Sequence, residues 1–245
     1  MIGAGPTAAE VSEAALGLGR GLSPAQAEGL AIYLGLLEKW NRSTNLVGKR
    51  GWRDILTDLV ADSWHVADYL SGLDWGDESP PGPDGPVGSV GPVGPVGPVV
   101  FDLGAGAGLP GVPLRLFWDR GEYYLIEPRR KRAVFLEAAI AAMGLTRTFA
   151  VETRAEDVPG LALAGGRPAD VVVSRAFLPW REYVRLASGL VRPGGSIVVM
   201  ASHGPPEAGE VAPDFALGPG MAYGAAGGER YVWSLVPVSA PRKEF

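Results

Sequence analysis

The sequence predicts an α/β fold in which a mostly parallel sheet follows a helical N-terminal region. Three observations indicate this class. Residues 7–72 have helical periodicity, strand and helix patterns alternate after residue 99, and the last strand is entered through a glycine-rich hairpin. Alternating strands and helices place parallel strands side by side and cover both faces of the sheet. A strand entered through a hairpin runs antiparallel to its neighbour, so we expect an antiparallel last strand.

The composition limits the chemistry that the chain can perform. Its 245 residues include no cysteine and two histidines, and its formal net charge is -5. Without cysteine there are no disulfides, thiolate zinc sites or cysteine nucleophiles. His65 and His203 are too few for most histidine-built metal sites, so we expect no metal. There is neither a basic N-terminal leader nor an apolar segment of roughly 18 residues, so we expect a cytoplasmic protein without membrane contact.

The helical region, residues 1–75, contains a strong helix start. Ser23-Pro24-Ala25-Gln26 combines an N-cap serine, a proline at the first helical position and a glutamine three residues after the cap. The apolar face of this helix continues through several leucines to Trp40. A second helical stretch is predicted from Arg53 to Leu70.

Residues 76–98 separate the helical region from a second domain, residues 99–245. Glycine recurs at every third position from Gly82 to Gly97 and disfavours helix and strand, so we interpret this segment as a linker. After it, the expected strands are Val99–Leu103, Glu122–Glu127, Phe149–Glu152, Asp170–Ser174, Ser196–Ala201 and Tyr231–Val238. The expected helices are Gly111–Trp118, Lys131–Met143 and Pro179–Leu190, and Arg192–Gly195 is predicted to form a turn.

The first of these strands runs into a glycine-rich loop, "VVFDLGAGAGLPG". Gly106 to Gly111 match the G-x-G-x-x-G pattern of dinucleotide sites, but a single match of this kind is weak. Such a turn leaves backbone N–H groups free for a ligand, and S-adenosylmethionine competes with a dinucleotide for this geometry. Asp102 favours S-adenosylmethionine, because a carboxylate at the strand end repels a pyrophosphate and attracts the ammonium group of the methionine.

Acidic residues after the next two strands support a nucleoside ligand. Glu127 ends the second strand, where an acidic residue usually contacts ribose hydroxyls in both cofactor classes. Ala155, Glu156 and Asp157 follow the third strand, where a contact with the adenine edge is expected. The alternative for Glu127 and Asp157 is a surface carboxylate that caps a helix.

Two basic runs are candidates for nucleic-acid contacts. The segment from Lys39 to Arg53 contains five basic residues and no acidic residue, and Arg129-Arg130-Lys131-Arg132 is contiguous. The alternative for each run is a solvated helix or loop face. Because the net charge is negative, binding of nucleic acid over the whole surface is disfavoured and only such local patches remain.

Three motifs give the chain a family resemblance: "LLEKWNRSTNLVGKR" at 36–50, "FDLGAGAGLPGVPL" at 101–114 and "VVVSRAF" at 171–177. With the "VRPGGSIVV" segment and the closing strand, the chain resembles class I S-adenosylmethionine-dependent methyltransferases. More narrowly, it resembles the ribosomal RNA small subunit methyltransferase G family, also called glucose-inhibited division protein B. The resemblance spans about residues 24–238 apart from the linker. It implies a Rossmann-like fold with a seven-stranded, mostly parallel sheet and an antiparallel last strand.

The resemblance implies that the chain uses S-adenosylmethionine to methylate N7 of a guanine in a loop of 16S ribosomal RNA. The partner would be this RNA or the small ribosomal subunit, and we expect a monomer. The cofactor-site residues carried over by position are Asp102, Gly104, Ala105, Gly106, Gly108, Leu109, Glu127, Ala155, Glu156 and Arg175. Arg175 is also the candidate catalytic residue, facing the cofactor and the entering base; its alternative is a pairing with Asp157 or a helix end. The candidates for RNA contacts are Arg129, Arg130, Lys131 and Arg132.

Two departures from the family pattern affect the expected RNA surface. Asp58 and Leu59 stand where the family usually has an Arg-His pair before Asp62-Ser63, and Ser202-His203-Gly204 replaces a usual Lys-Gly. The missing cations leave an alternative open, a methyltransferase of the same fold that acts on a different RNA, a small molecule or a protein. A dinucleotide oxidoreductase is disfavoured by Asp102 and by the terminal hairpin strand.

Overall fold

The computed structural model describes residues 5–49, 51–75, 97–225 and 227–238. The α-helices are α1 (Ala8–Gly17), α2 (Pro24–Thr44), α3 (Trp52–Ile55), α4 (Ala61–Ser71), α5 (Gly111–Leu114), α6 (Arg130–Ala142) and α7 (Trp180–Ala187). The strands are β1 (Val99–Leu103), β2 (Glu122–Ile126), β3 (Thr148–Val151), β4 (Ala169–Arg175), β5 (Val191–Ala201), β6 (Phe215–Ala225) and β7 (Gly228–Pro237). A π-helical turn, Leu56–Val60, joins α3 to α4.

Within the described residues, seven strands form one sheet with the order β3-β2-β1-β4-β5-β7-β6. β1 to β5 are parallel, and β7 pairs antiparallel with both β5 and β6. The predicted mostly parallel sheet with an antiparallel last strand is confirmed. The strand order reverses between β1 and β4, and in open α/β sheets ligands bind outside the carboxyl ends of the strands at such a reversal.

The sequence analysis placed six strands and missed β6. This strand forms the edge of the sheet, most of its side chains are at least partly exposed, and its register shifts between Leu217 and Gly220. Glycines within a strand weaken its pattern and often mark such a shift. The segment therefore has no apolar alternation, and its pairing with β7 defines it as a strand.

The N-terminal helices pack on the sheet and share its core. The predicted helix start is confirmed, because the Gln26 N–H donates to Ser23 Oγ at 3.2 Å and the Ser23 N–H donates to Gln26 Oε1 at 2.9 Å. Trp40 of α2 contacts Phe135 of α6 edge to face, with ring centroids 5.7 Å apart. The hydroxyl of the buried Tyr33 donates to the carbonyl oxygen of Ala107 at 2.7 Å. Helix α2 therefore supports the glycine-rich loop directly.

The helix expected over Gly111–Trp118 is shorter in the structure and ends at Leu114. The next residue, Arg115, is 4% exposed and ends the helix. Its guanidinium donates to the carbonyl oxygens of Trp118, Asp119, Arg120 and Gly121. These bonds hold the chain in a turn. They leave no periodic pattern in the sequence, so the end of the helix was not predictable from it.

The turn expected at Arg192–Gly195 lies inside β5 as an irregularity of the strand. Val191 pairs with Ala169, and the next pair in the ladder joins Ser196 to Val171. Gly194 has φ +74°, a conformation that glycine adopts without strain. The predicted turn is therefore an irregularity within β5, with strand pairing on both sides of it.

Residues 76–96 of the expected linker lie outside the described residues, and the predicted domain boundaries remain predictions. Among the helices that the structure describes, none has the length and apolarity to cross a bilayer. The same part of the chain contains no group of three or more histidine, cysteine, aspartate or glutamate side chains arranged to bind a metal ion.

Candidate functional site

The glycine loop, residues 104–110, connects β1 to α5 in a conformation that requires glycine. Gly104, Gly106 and Gly108 have φ values of +69°, +59° and +80°. Four N–H groups of the loop already have protein acceptors. Gly104 and Ala105 donate to the carbonyl oxygen of Ile126, Gly106 to Glu127 and Gly108 to Ala105. The expectation of free N–H groups is wrong at these four positions, because three of them donate to residues at the end of β2 and the fourth donates within the loop.

Two further residues fix the end of the loop. Leu109 is 9% exposed and belongs to the main hydrophobic core. Gly111 allows α5 to approach the sheet closely, because a Cβ there would lie 2.6 Å from Asp102 Oδ2 and 2.8 Å from the ring of Tyr123. The glycine pattern in the sequence therefore has two functions, loop conformation and close packing of helix on strand.

Asp102 lies beneath the glycine loop and is fully buried. The hydroxyl of Tyr123 donates to its Oδ2 at 3.2 Å, and its Oδ1 has no hydrogen-bond partner among the described residues. Burial raises the pKa of Asp102 to about 7, although hydrogen bonds from Tyr123 and Gly111 act in the opposite direction. The carboxyl is thus less charged and less accessible than the sequence argument assumes. Its contact with a ligand ammonium group stays a prediction.

Glu127 connects the glycine loop to the start of α6. It is 3% exposed, its Oε2 accepts the N–H of Gly106 at 2.9 Å, and its Oε1 accepts the N–H of Arg129 at 2.9 Å. Each carboxylate oxygen keeps further acceptor capacity, because an ionised carboxylate has about four lone-pair sites. Glu127 is therefore not the surface carboxylate of the alternative interpretation, although its bond to Arg129 resembles a cap.

Ala155 and Glu156 begin a 3-10 turn, Ala155–Gly160, after β3. Ala155 is buried in a cluster with Phe101 and Leu103 of β1 and Ile126 of β2. Glu156 is exposed. The structure therefore places Ala155 against the strands that hold the glycine loop and leaves the Glu156 side chain at the surface.

A cavity of about 620 Å³ opens at the carboxyl ends of β4 and β5. Its walls come from α4, the segment between β4 and α7, the end of β5, and the hairpin of β6 and β7. The lining side chains relevant to ligand chemistry are Asp62, Arg175, Phe177, Trp180, Tyr183, His203, Tyr223 and Arg230. The cavity thus combines aromatic rings with two guanidinium groups.

Asp62 of α4 connects the two arginines of the cavity. It is 2% exposed, and its Oδ2 lies 2.5 Å from Arg230 Nη1 and 3.4 Å from Arg175 Nη2. The hydroxyl of Tyr223 donates to Oδ1 at 3.1 Å. Burial and the neighbouring Asp62 carboxylate raise the pKa of Tyr223, so this hydroxyl stays a donor at neutral pH.

Arg175 is held from two sides. Besides its contact with Asp62, its Nη1 donates to the carbonyl oxygen of Leu59 at 3.1 Å. Leu59 belongs to the π-helical turn, a feature that occurs frequently at functional sites. The alternative pairing of Arg175 with Asp157 is wrong, because the π-helical turn and α4 lie over the end of β4.

Phe177 joins the glycine loop to the cavity. It lines the cavity, and a Cβ added to Gly104 would lie 2.4 Å from its Cδ2. The preceding residue, Ala176, has φ +51°, a conformation that is uncommon for a residue with a side chain. Such strained residues occur preferentially at ligand sites. The chain turns at Ala176 so that both Arg175 and Phe177 line the cavity.

The second basic run is mostly exposed. Arg129, Arg130 and Lys131 are at the surface at the start of α6, and Arg130 lies 3.4 Å from Glu152. Arg132 is half-buried, with its Nη1 3.6 Å from the position that a Cβ on Gly106 would take. This run therefore lies beside the glycine loop.

The first basic run is partly neutralised. Lys49 forms an ion pair of 2.6 Å with Asp58, and the guanidinium of Arg53 lies over the ring of Trp52 at 4.3 Å. Arg50 lies outside the described residues. Lys39 and Arg42 remain on α2, which packs against α6.

Several residues of the cavity were not assigned by the sequence analysis. Phe177 stands in the "VVVSRAF" motif, which could have identified it. Arg230 precedes the expected last strand and was assigned to a turn, and its contact with Asp62 spans 168 residues. No spacing rule connects two residues so far apart, so their contact was not predictable.

Comparison with known proteins identifies the family. The chain is 42% identical over 219 residues to the ribosomal RNA small subunit methyltransferase G of Nitratidesulfovibrio vulgaris, and the match covers 89% of each protein. The chain belongs to the ribosomal RNA small subunit methyltransferase G family. A methyltransferase G of Oleidesulfovibrio alaskensis is 36% identical over 232 residues, with 91% of each protein covered. The family model for rRNA small subunit methyltransferase G matches residues 94–211. The family resemblance is confirmed.

Solved structures share the fold of this chain. A putative O-methyltransferase from Klebsiella pneumoniae has a TM-score of 0.54 at 14% identity and covers 93% of this chain and 96% of that one. The O-methyltransferase TomG from Streptomyces achromogenes, solved in complex with SAM, has a TM-score of 0.54 at 18% identity, with 86% and 90% covered. These structures and the sheet topology confirm the predicted Rossmann-like class I methyltransferase fold. Membership of the family shows that the chain is a methyltransferase.

Proposed function

We propose that this chain transfers a methyl group from S-adenosylmethionine to N7 of a guanine in a loop of 16S ribosomal RNA. It acts in the cytoplasm as a monomer. One observation carries the proposal: Phe177 contacts Gly104 and lines the cavity, so the glycine loop and a positively charged, aromatic cavity are adjacent. A methyl transfer requires donor and acceptor sites side by side, and a cavity of this character suits a nucleotide.

The residues around the glycine loop fit the proposed donor. Asp102 offers a buried oxygen without a partner, which is unfavourable unless a ligand donor approaches it. Glu127 has acceptor capacity for ribose hydroxyls, and Ala155 and Glu156 follow β3 on the adenine side. When bound, S-adenosylmethionine supplies an electrophilic methyl group on a sulfonium centre. The residues of this chain would hold the ammonium, ribose and adenine parts and keep the methyl group directed toward the cavity.

The proposed reaction needs no general base. Guanine N7 carries a lone pair, so no proton has to be removed before attack. Asp62, the single carboxylate among the described residues that line the cavity, is already engaged by Arg175, Arg230 and Tyr223. The chain therefore acts by aligning the base with the methyl group and by maintaining a complementary electrostatic field. Arg175, placed between α4 and the cavity, is the proposed residue nearest to both reactants.

The proposed substrate is an unpaired or unstacked guanine. A base inside an RNA helix does not reach a cavity at the carboxyl ends of the strands, whereas loop bases extend outward and stack on aromatic side chains. Arg129, Lys131 and Arg132 are proposed to bind RNA phosphates beside the glycine loop. The charge of Arg130 is partly neutralised by its ion pair with Glu152. Phosphate contacts of this kind make RNA binding sensitive to salt.

The proposal is tested by tritium transfer from labelled S-adenosylmethionine to naked 16S RNA and to assembled small subunits. Mass mapping of the labelled nucleoside is expected to give N7-methylguanine in at least one of the two substrates. Absence of label in both would contradict the RNA proposal and favour a small molecule or protein. Label at another nucleoside would contradict the N7 assignment. In a thermal shift assay, S-adenosylhomocysteine is expected to stabilise the protein and NAD is not.

A further inference from the structure

Two arginines from different strands converge on one buried carboxylate in the cavity. Arg175 lies at the end of β4 and Arg230 in β7, and their guanidinium nitrogens lie 3.4 Å and 2.5 Å from Asp62 Oδ2. Asp62 is 2% exposed, whereas the side chains of Arg175 and Arg230 are 18% and 27% exposed. The carboxylate is therefore closed off, and both cations remain accessible from the cavity.

Arg230 has unused hydrogen-bonding capacity. A guanidinium has five N–H donors in a plane, and within the described part of the chain Arg230 uses Nη1 alone, toward Asp62. Arg175 is more constrained, because its Nη1 donates to Leu59 and its Nη2 faces Asp62. Two guanidinium groups against a single carboxylate leave an excess of positive charge in the cavity.

The other walls of the cavity suit a flat ring. Trp180 lines the cavity and is held edge to face against Trp233, with ring centroids 5.6 Å apart. Phe177 lines it on the side of the glycine loop. Nucleobases stack on aromatic side chains, and guanidinium groups donate in pairs to base acceptor edges and to phosphate oxygens.

We propose that Arg230 contacts the target guanine nucleotide in this cavity, and that Asp62 is a positioning residue that fixes Arg230 and Arg175 for this contact. The inference rests on the proposed function, because it assigns the cavity to the nucleotide that is methylated. Asp62 acts by holding two like charges in one orientation. Without it, the guanidinium groups repel each other and must be ordered anew when the nucleotide binds.

The test compares Arg230→Gln, Arg230→Lys and Asp62→Asn with Arg185→Gln, a control arginine that is exposed on α7 and does not line the cavity. For each variant, kcat and KM for the RNA substrate, the Kd of S-adenosylhomocysteine and the melting temperature are measured. Arg230→Gln is expected to raise KM about tenfold or more, the usual effect of losing a hydrogen bond to a charged group, without changing the Kd of S-adenosylhomocysteine. Arg230→Lys recovers part of this loss, because lysine keeps the charge without the planar fork.

Asp62→Asn is expected to raise KM although both arginines are intact, and Arg185→Gln leaves every quantity unchanged. A purely structural ion pair between α4 and β7 predicts the opposite pattern, in which the melting temperature falls in Arg230→Gln while KM keeps the wild-type value. That pattern would overturn the proposal. Should Asp62→Asn fail to fold, the two Arg230 variants decide.

A second probe tests the cavity independently of RNA methylation. Guanosine 5'-monophosphate is titrated while tryptophan fluorescence is measured, with Trp180→Phe used to assign the signal. Saturable binding that is lost in Arg230→Gln and kept in Arg185→Gln supports the proposal, and binding that survives Arg230→Gln, or no binding by the wild type, contradicts it. If the wild type binds the nucleotide through Arg230 but labels no RNA, the proposed function fails and the nucleotide cavity remains.

Discussion

The ring of Phe177 occupies the space that a side chain on Gly104 would need. A Cβ on Gly104 would lie 2.4 Å from Phe177 Cδ2, a distance that real contacts of Cβ atoms do not show. The glycine loop after β1 and the segment after β4 are therefore packed directly together. This contact explains why the first glycine of the loop is needed, both for its φ of +69° and for the approach of an aromatic ring.

Gly104→Ala is expected to destabilise the protein and weaken donor binding. The added Cβ would clash with Phe177, and the alanine would have to adopt a left-handed backbone conformation. Together these effects lower the free energy of unfolding by about 3 kcal/mol. Gly144→Ala is the matched control, because Gly144 has φ +62° but no atom within 4 Å of the added Cβ. The control isolates backbone strain, about 1 kcal/mol. Equal losses in urea denaturation of the two variants would contradict the role of Phe177.

Glu127→Gln is expected to weaken the binding of S-adenosylhomocysteine about tenfold to a hundredfold in calorimetry, because the ribose hydroxyls lose a charged acceptor. The variant also loses about 1 kcal/mol of stability, since an amide has one acceptor oxygen for the two N–H groups of Gly106 and Arg129. Glu137→Gln, at an exposed position of α6, serves as the control and leaves both quantities unchanged. Unchanged affinity in Glu127→Gln would remove Glu127 from the donor site.

Asp102 is expected to make stability depend on pH. Burial raises its pKa from 3.8 to about 7, so the folded protein holds this proton more tightly than the unfolded chain between these values. The resulting stabilisation is complete at low pH and is lost as the pH rises toward 7. Asp102→Asn has no carboxyl to titrate at this position, so it does not lose this stabilisation. From pH 5 to pH 8, its free energy of unfolding is therefore expected to rise by about 2–3 kcal/mol relative to that of the wild type.

The measurement is denaturant unfolding at several pH values, with the exposed Asp119→Asn as control. Parallel pH profiles of the wild type and Asp102→Asn would show that the carboxyl of Asp102 has an ordinary pKa. The same variant is expected to bind S-adenosylhomocysteine more weakly, because its amide does not attract the ammonium group as a carboxylate does.

Replacing Arg129 and Lys131 together by glutamine is expected to weaken RNA binding and its dependence on salt. Both side chains are exposed beside the glycine loop, so they are available for phosphate contacts. Losing two such contacts lowers the slope of log K against log salt by about 1.4 for a single-stranded substrate. Filter binding at several salt concentrations measures this slope. Arg185→Gln on α7 is the control, and an unchanged slope in the double variant would place the RNA elsewhere.

Much of the fold was predictable from local patterns. The capping box at Ser23 marked the start of α2, and the alternation of strands and helices gave a parallel sheet with an antiparallel last strand. These signals are local because a cap, a helical stripe or a hairpin depends on residues that are close in sequence. The strand β6 was missed because its glycines and its position at the edge remove the apolar alternation.

The sequence by itself determined the family, the glycine loop and the acidic residues Asp102 and Glu127, because each is recognised from a short motif or from its place at the end of a predicted strand. Only the tertiary structure decided the protonation of Asp102, the partner of Arg175 and the cavity that contains Arg230. Burial changes a pKa through the whole surrounding of a group, and Asp62 meets Arg230 across 168 residues. Such properties depend on how the helices pack over the sheet, and no local pattern encodes them.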